Sequence, residues 1–316
     1  MSDTYEIAIV GAGPAGLSAA LYAARFCRST LVLHDGRPRA ARIPKTYNAP
    51  GFNEGVAGAD LIDRMTCHAT QFGASLVEAH MARAEHSDGL FVLHDDVGNA
   101  WRTRSLILAT GLNLNQSPID EVTHQSAIDM GVLRYCPVCD GFEHQGKEIA
   151  VVGCDVSGAG EALFLRRFSD RVTLLPKDEA ELTVRERRDL AEAGVTTVTA
   201  PIAHYVPTPE GMQVHLEGVA TPLTFDVLYP ALGVTPRSEL LVGLGLPLTE
   251  FGKAPGESPF ATMIPGLYCA GDVVEGLDQI SVAMGHGAIA ATKAHNWLRD
   301  RDGETADVVL GEGRSG

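Results

Sequence analysis

The chain has no run of about eighteen uninterrupted apolar residues, the length a bilayer-spanning helix needs, so no membrane span is expected. Its longest apolar stretch, Pro14 to Cys27, is broken by Arg25 and reads as a buried helix. The start, MSDTYEIAIV, lacks the basic segment of a secretory signal and passes straight into a strand-like run, so a cytoplasmic protein is expected. Basic residues are in the minority: 25 Lys and Arg against 40 Asp and Glu give a formal net charge of -15. Nucleic-acid binding is driven by a basic surface, so no nucleic-acid partner is expected. Cysteine is sparse as well. Six stand at 27, 67, 136, 139, 154 and 269, and only 136 and 139 are close. That spacing without a secretory start argues against a disulfide framework, and the isolated thiols read as small buried hydrophobes. Zinc would need a second Cys or His pair at ligand spacing. His144 is near, but no second pair follows, so no metal is expected. No low-complexity tract interrupts the 316 residues, a length comfortable for two hydrophobic cores.

What the chain does contain begins at Glu6–Val10, a short apolar run of β type. It leads at once into Gly11-Ala-Gly13-Pro14-Ala15-Gly16 and then a helical pattern at Leu17, Ala20, Leu21 and Ala24. A second strand, Thr30–Leu33, ends near Asp35. This is the dinucleotide fingerprint in its strand–turn–helix–strand context. Gly11 permits the tight turn, Gly13 lets the backbone approach a pyrophosphate, and Gly16 lets helix and strand pack closely. The pyrophosphate would lie on the helix N-terminus, where free N–H groups and the dipole favour an anion. Asp35 is placed to accept from ribose hydroxyls. The bland alternative is a Gly-rich turn that only packs tightly.

A second unit repeats the layout. Glu148–Val152 is a strand, Gly153-Cys-Asp155-Val-Ser-Gly158 a turn, and a helical run to Arg167 precedes a strand at Val172–Leu175. Leu106–Gly111 and Tyr229–Gly233 are further counterparts, each a strand ending at a Gly turn. An α/β fold of two Rossmann-like domains is expected, one intact and one degenerate. Between them, in RYCPVCDGFE, Cys136 and Cys139 are separated by two residues. Such a pair can close a small disulfide at a helix start and cycle between dithiol and disulfide.

From Ile7 to about Leu298 the sequence resembles the low-molecular-weight bacterial thioredoxin reductases. The motifs are GAGPAGLSAALYAAR, NAPG at 48–51, ATG at 109–111, CPVCDGF at 136–142, and IPGLYCAGDV at 264–273 followed by Gln279. The resemblance implies an FAD domain at 1–115 and 236–316, with a pyridine-nucleotide-type domain at 116–235 inserted into it, and a homodimer. It places Asn48, Ala109, Thr110 and Gly111 near the flavin, Gly271 and Asp272 at its ribityl and phosphate, and Gln279 and Ile280 at the isoalloxazine. It assigns Cys139 to exchange with FAD, Cys136 to attack on a substrate disulfide, and Asp140 to proton transfer as general acid/base. Asp140 would equally suit a helix N-cap. The implied substrate is a thioredoxin-like protein or a small disulfide.

The sequence departs from the family in its second domain. Asp155 stands at the second glycine of the fingerprint, where a side chain blocks backbone approach and a carboxylate faces a pyrophosphate. Two like charges about 4 Å apart repel by roughly 4 kcal/mol at an effective dielectric of about 20. The family's arginines for the 2′-phosphate are replaced by Leu175-Pro-Lys-Asp-Glu-Ala-Glu181. Each lost charge-assisted hydrogen bond is worth about 1.5–3 kcal/mol, and a micromolar complex holds only about 8 kcal/mol in total. A defective NADPH site is therefore expected. Asp278 also stands where the family often has Arg. The open alternatives are a reductase fed by ferredoxin or another flavin, a dithiol oxidase passing electrons to oxygen, an ordinary NADPH-dependent thioredoxin reductase, and a non-enzymatic flavin redox sensor. Ferredoxin docking would need a local basic surface, for which Arg166, Arg167 and Arg171, or Arg185, Arg187 and Arg188, are candidates, unless they are solvated helix faces.

Overall fold

The computed structural model describes residues 4–116, 119–153, 155–176, 182–256 and 262–304. Two compact units divide the chain, one of residues 1–40, 60–111 and 236–316, the other of 41–59 and 112–235. The stretch 41–59, expected in the first domain, thus falls with the second unit, and the chain passes between the units at 40/41, 59/60, 111/112 and 235/236.

The first unit is built on parallel strands in the order Ser75–Glu78, Thr30–His34, Thr4–Val10 and Ala100–Leu108. Strands covered on both faces read as unbroken apolar runs, and Ile7, Ala8 and Ile9 are fully buried. On its other edge the last strand serves two partners. Its first half pairs antiparallel with Leu90–Asp95, which continues to Met81–Ser87, and its second half pairs parallel with Leu267–Cys269. Helix Pro14–Arg25 lies against the long helix Ile280–Asp302 at near-backbone distance: a Cβ on Gly287 would sit 2.0 Å from the Ala15 carbonyl oxygen. The Ser18 hydroxyl donates to the Met284 carbonyl at 2.7 Å and fixes the crossing.

The second unit repeats the parallel core with four strands, Thr196–Thr197, Val172–Leu175, Ile149–Val152 and Val227–Pro230. Ile149, Val151, Leu174 and Tyr229 pack under helix Val156–Leu165. Ala150, Val152, Leu175 and Leu228 face Met212, Val214 and Phe225 of an antiparallel sheet, Ile202–Thr208, Gly211–Leu216 and Leu223–Phe225. Both units are thus Rossmann-like α/β layers, the second inserted in the first. Among the described residues no helix is long and apolar enough to cross a membrane.

Candidate active site

In the second unit Cys136 and Cys139 form a disulfide, with their Cα atoms 5.2 Å apart. Pro137, at the first helical position, starts the short turn Pro137–Asp140, and the Cys139 N–H donates to the Cys136 carbonyl at 2.9 Å. The approach to the turn is anchored. Leu133 bridges to Leu228, the Arg134 N–H donates to the Leu228 carbonyl at 3.0 Å, and Tyr135 hydrogen-bonds His124 at 2.6 Å.

Asp140 follows the disulfide and is half-buried. Tyr229 donates its hydroxyl to Asp140 Oδ1 at 2.7 Å, and Arg134 Nε stands 3.4 Å from Oδ2. Burial pushes the Asp140 carboxyl up to about 6, against the opposing pull of Tyr229 and Arg134. The helix-cap alternative for Asp140 does not hold. Cys136 precedes the helical turn, and Asp140 makes no side-chain capping bond to the 3-10 turn that follows. His144 sets its ring edge-on to Tyr229, and burial pushes it down to about 4.

In the first unit the fingerprint has the geometry its glycines require. Gly11 has φ +111°, and a Cβ there would meet the Ala109 carbonyl oxygen at 2.2 Å; one on Gly16 would lie 1.8 Å from the Gly11 carbonyl oxygen. A Cβ on Gly13 would meet nothing within 4 Å, so the turn faces open space there. Pro14 opens the helix, no side chain caps it, and its first turn carries no acid. Ala15 packs under Gly271, where an added Cβ would come within 2.7 Å of its methyl group. This brings the Gly271–Val273 turn to the helix start.

The second unit keeps the outer glycines and changes the middle of the turn. Gly153 has φ +143°, with the Ala231 carbonyl oxygen 2.7 Å from an added Cβ, and a Cβ on Gly158 would lie 1.9 Å from the Gly153 carbonyl oxygen. The packing roles of the first and third glycines are therefore retained in the unit expected to be degenerate. Asp155 is the N-cap of helix Val156–Leu165 and accepts the Gly158 N–H at 2.9 Å. One helix start is open and the other is closed by its own carboxylate. Further along the second helix, burial followed by the Asp155 charge pushes Glu161 up to about 7. Cys154 and residues 177–181, most of the stretch expected to lack phosphate-binding arginines, lie outside the described residues.

The chain matches the pyridine nucleotide-disulphide oxidoreductase family over residues 5–287. It belongs to that family. It is 30% identical to a thioredoxin reductase of Streptomyces clavuligerus, over 94% of this chain and 95% of that protein. A thioredoxin reductase structure from Streptococcus pyogenes shares its fold, with a TM-score of 0.84 at 24% identity, covering 95% of this chain and 100% of that one. The atypical thioredoxin reductase TRi of Desulfovibrio vulgaris Hildenborough is 32% identical, with a TM-score of 0.53, covering 94% of this chain and 99% of that one. The chain is a thioredoxin-reductase-like flavoprotein oxidoreductase with a Cys136–Cys139 disulfide.

Family membership implies FAD, and the first unit fits it: the open backbone at Gly13 and the uncapped helix start suit a pyrophosphate. Several charged neighbours there were not read from the sequence. Asp35, expected at a ribose, accepts from Arg237 on Oδ2 and from the Arg37 N–H at 3.2 Å on Oδ1. Burial raises its carboxyl, but these donors outweigh it and hold Asp35 below its ordinary value. Arg237 is itself locked to the ATG turn: its N–H donates to Gly111 at 3.0 Å and its carbonyl accepts the Thr110 hydroxyl at 2.6 Å. Arg39 pairs with Asp272 at 2.5 Å, and buried Lys253 holds both oxygens of Asp278 at 2.8 and 2.9 Å. Gln279 precedes the helix that begins at Ile280. Asn48 falls in the second unit and accepts the Thr46 hydroxyl at 2.8 Å. Among the described residues no three His, Cys, Asp or Glu side chains gather into a set that could hold a metal.

Proposed function

We propose that the protein is an FAD-dependent disulfide reductase that does not take its electrons from NADPH or NADH. The observation that carries this reading is the Asp155 carboxylate on the Gly158 N–H, in the place where a nucleotide-binding turn presents its N–H groups to a pyrophosphate. A dinucleotide would have to displace that bond and accept a carboxylate beside its phosphates. Glu161 adds a second acid to the same helix. Reduced ferredoxin or another flavin is the donor class that fits. Four of the six arginines weighed for such docking are ion-paired within the chain: Arg166 with Asp170, Arg171 with Glu148, Arg185 with Asp189 and Arg188 with Asp189 and Glu192.

Bound FAD supplies the two-electron couple that returns the disulfide to the dithiol. The chain's own groups then do the rest. The Cys136 thiolate attacks a substrate disulfide and one substrate sulfur leaves. Asp140 supplies the proton that sulfur takes up. Cys139 displaces the second sulfur, and the Cys136–Cys139 bond re-forms, so two electrons and two protons pass to the substrate. A carboxyl held near 6 can both give and regain a proton at neutral pH, which supports Asp140 in this role. The substrate proposed is a thioredoxin-like protein or a small disulfide, acted on by a homodimer. Calorimetric titration of the oxidised holoenzyme with NADP+ and NAD+ tests the reading. No binding is expected at micromolar nucleotide, and a micromolar dissociation constant for either would overturn it.

A further inference from the structure

We propose that Tyr229 and Arg134 form a two-sided clamp that positions the Asp140 carboxylate for proton exchange with the cysteine pair and sets the pH at which it exchanges. The inference rests on the reading of Asp140 as the proton carrier. It assigns a role to two residues outside the Cys-x-x-Cys-Asp motif.

Tyr229 sits at 0% exposure in the core of the second unit, packed with Ile149, Val151 and Val227. Phenylalanine would fill that space equally well. A buried tyrosine hydroxyl needs a partner, and here the partner is Asp140 Oδ1 at 2.7 Å. The strand Val227–Pro230 fixes the ring, so the hydroxyl is a rigid donor and not a searching one. Arg134 holds the other oxygen, Oδ2, at 3.4 Å. It is immobilised in turn, because its Nη1 donates to the Ile128 carbonyl at 3.1 Å and its N–H to the Leu228 carbonyl at 3.0 Å. The carboxylate thus meets a neutral hydrogen-bond donor at one oxygen and a guanidinium ion pair at the other, both tied to the strand Val227–Pro230.

The other charged and titratable groups near this carboxylate are Glu143, whose charge opposes ionisation of Asp140, and His144, edge-on to Tyr229 and held neutral by burial. Burial and the Glu143 charge both favour the protonated acid, which cannot take up a proton from the cysteines. The Tyr229 hydrogen bond and the Arg134 charge favour the ionised form and oppose that effect. The clamp therefore balances burial and does not merely hold the side chain still.

The test uses the FAD-loaded enzyme and two readouts, turnover against pH and the pH dependence of iodoacetamide alkylation of the dithiothreitol-reduced cysteines. Asp140→Asn should remove an ionisation near pH 6 from both profiles. Tyr229→Phe should move that ionisation up by about one to two pH units, the size of one hydrogen bond to a charged group. Arg134→Met should move it in the same direction, and this variant decides the matter if Tyr229→Phe fails to fold. Profiles of either folded variant that superimpose on the wild type, while Asp140→Asn abolishes the ionisation, would overturn the clamp and leave the role of Asp140 intact. An unchanged profile in Asp140→Asn would overturn that role, and the clamp with it.

Discussion

At the residue scale, Asp140 is governed by two opposed effects: burial favours the neutral acid, while Tyr229 and Arg134 favour the carboxylate. Burial wins, so Asp140 binds protons more tightly folded than unfolded. Its stabilising contribution is present below its ordinary value of 3.8 and is lost as pH rises through about 6. Its replacement by Asn is expected to lower disulfide turnover by about 10²–10⁴-fold at neutral pH, the contribution typical of a positioned acid/base, with flavin content unchanged. Glu161 is a stronger instance of the same sign. Its Oε2 is buried with no hydrogen-bond partner among the described residues, and burial pushes the group up to about 7. Ionisation of Glu161 above that pH costs stability, so Glu161→Gln is expected to stabilise the protein by about 1–3 kcal/mol at pH 8.5 and by little at pH 5. Urea denaturation at the two pH values checks it. Neither Tyr229 nor Arg237 can be singled out from the sequence as a partner of an acid. Tyr229 reaches Asp140 across 89 residues, and Arg237 reaches Asp35 across 202. Such pairs leave no local spacing to read, and in its own segment Tyr229 reads only as part of an apolar strand.

At the scale of the element, the two nucleotide-type turns differ at one helix start. Helix Pro14–Arg25 begins without a side-chain cap and helix Val156–Leu165 begins with Asp155 as its cap. The cap contributes to stability in its own right. Asp155→Ala is expected to cost about 1 kcal/mol in thermal or urea unfolding of the second unit. It is not expected to create micromolar NADPH affinity, because no basic residue replaces the lost carboxylate. The strand–turn–helix units were legible because their information is local: a short apolar run, glycines at fixed spacing, a small-residue helix. The segment 41–59 was not. It carries the NAPG motif, and its packing with the second unit depends on tertiary contacts that its own composition does not encode. The long helix Ile280–Asp302 carries a different constraint. Gly287→Ala is expected to destabilise the first unit by about 1–3 kcal/mol, since its methyl group would overlap the Ala15 carbonyl. Loss of flavin on gel filtration would accompany it, because Ala15 belongs to the fingerprint turn.

At the scale of the whole molecule, a family protein built on two Rossmann-like units retains the packing of both and differs in what each turn presents. The first unit presents open backbone at Gly13 and the second presents a carboxylate. The fold could be read from the sequence because both units repeat one pattern. The closure of the second turn could be anticipated only as a clash, since an N-cap bond from Asp155 to Gly158 depends on the helix starting where it does. The identity of the donor that reduces the flavin is therefore the decisive property. Anaerobic titration of the purified protein, followed by bleaching of the flavin absorbance, tests this most directly. No bleaching is expected with micromolar NADPH or NADH, and full bleaching with dithionite and with catalytically reduced ferredoxin. Rapid, stoichiometric bleaching by micromolar NADPH or NADH would contradict it.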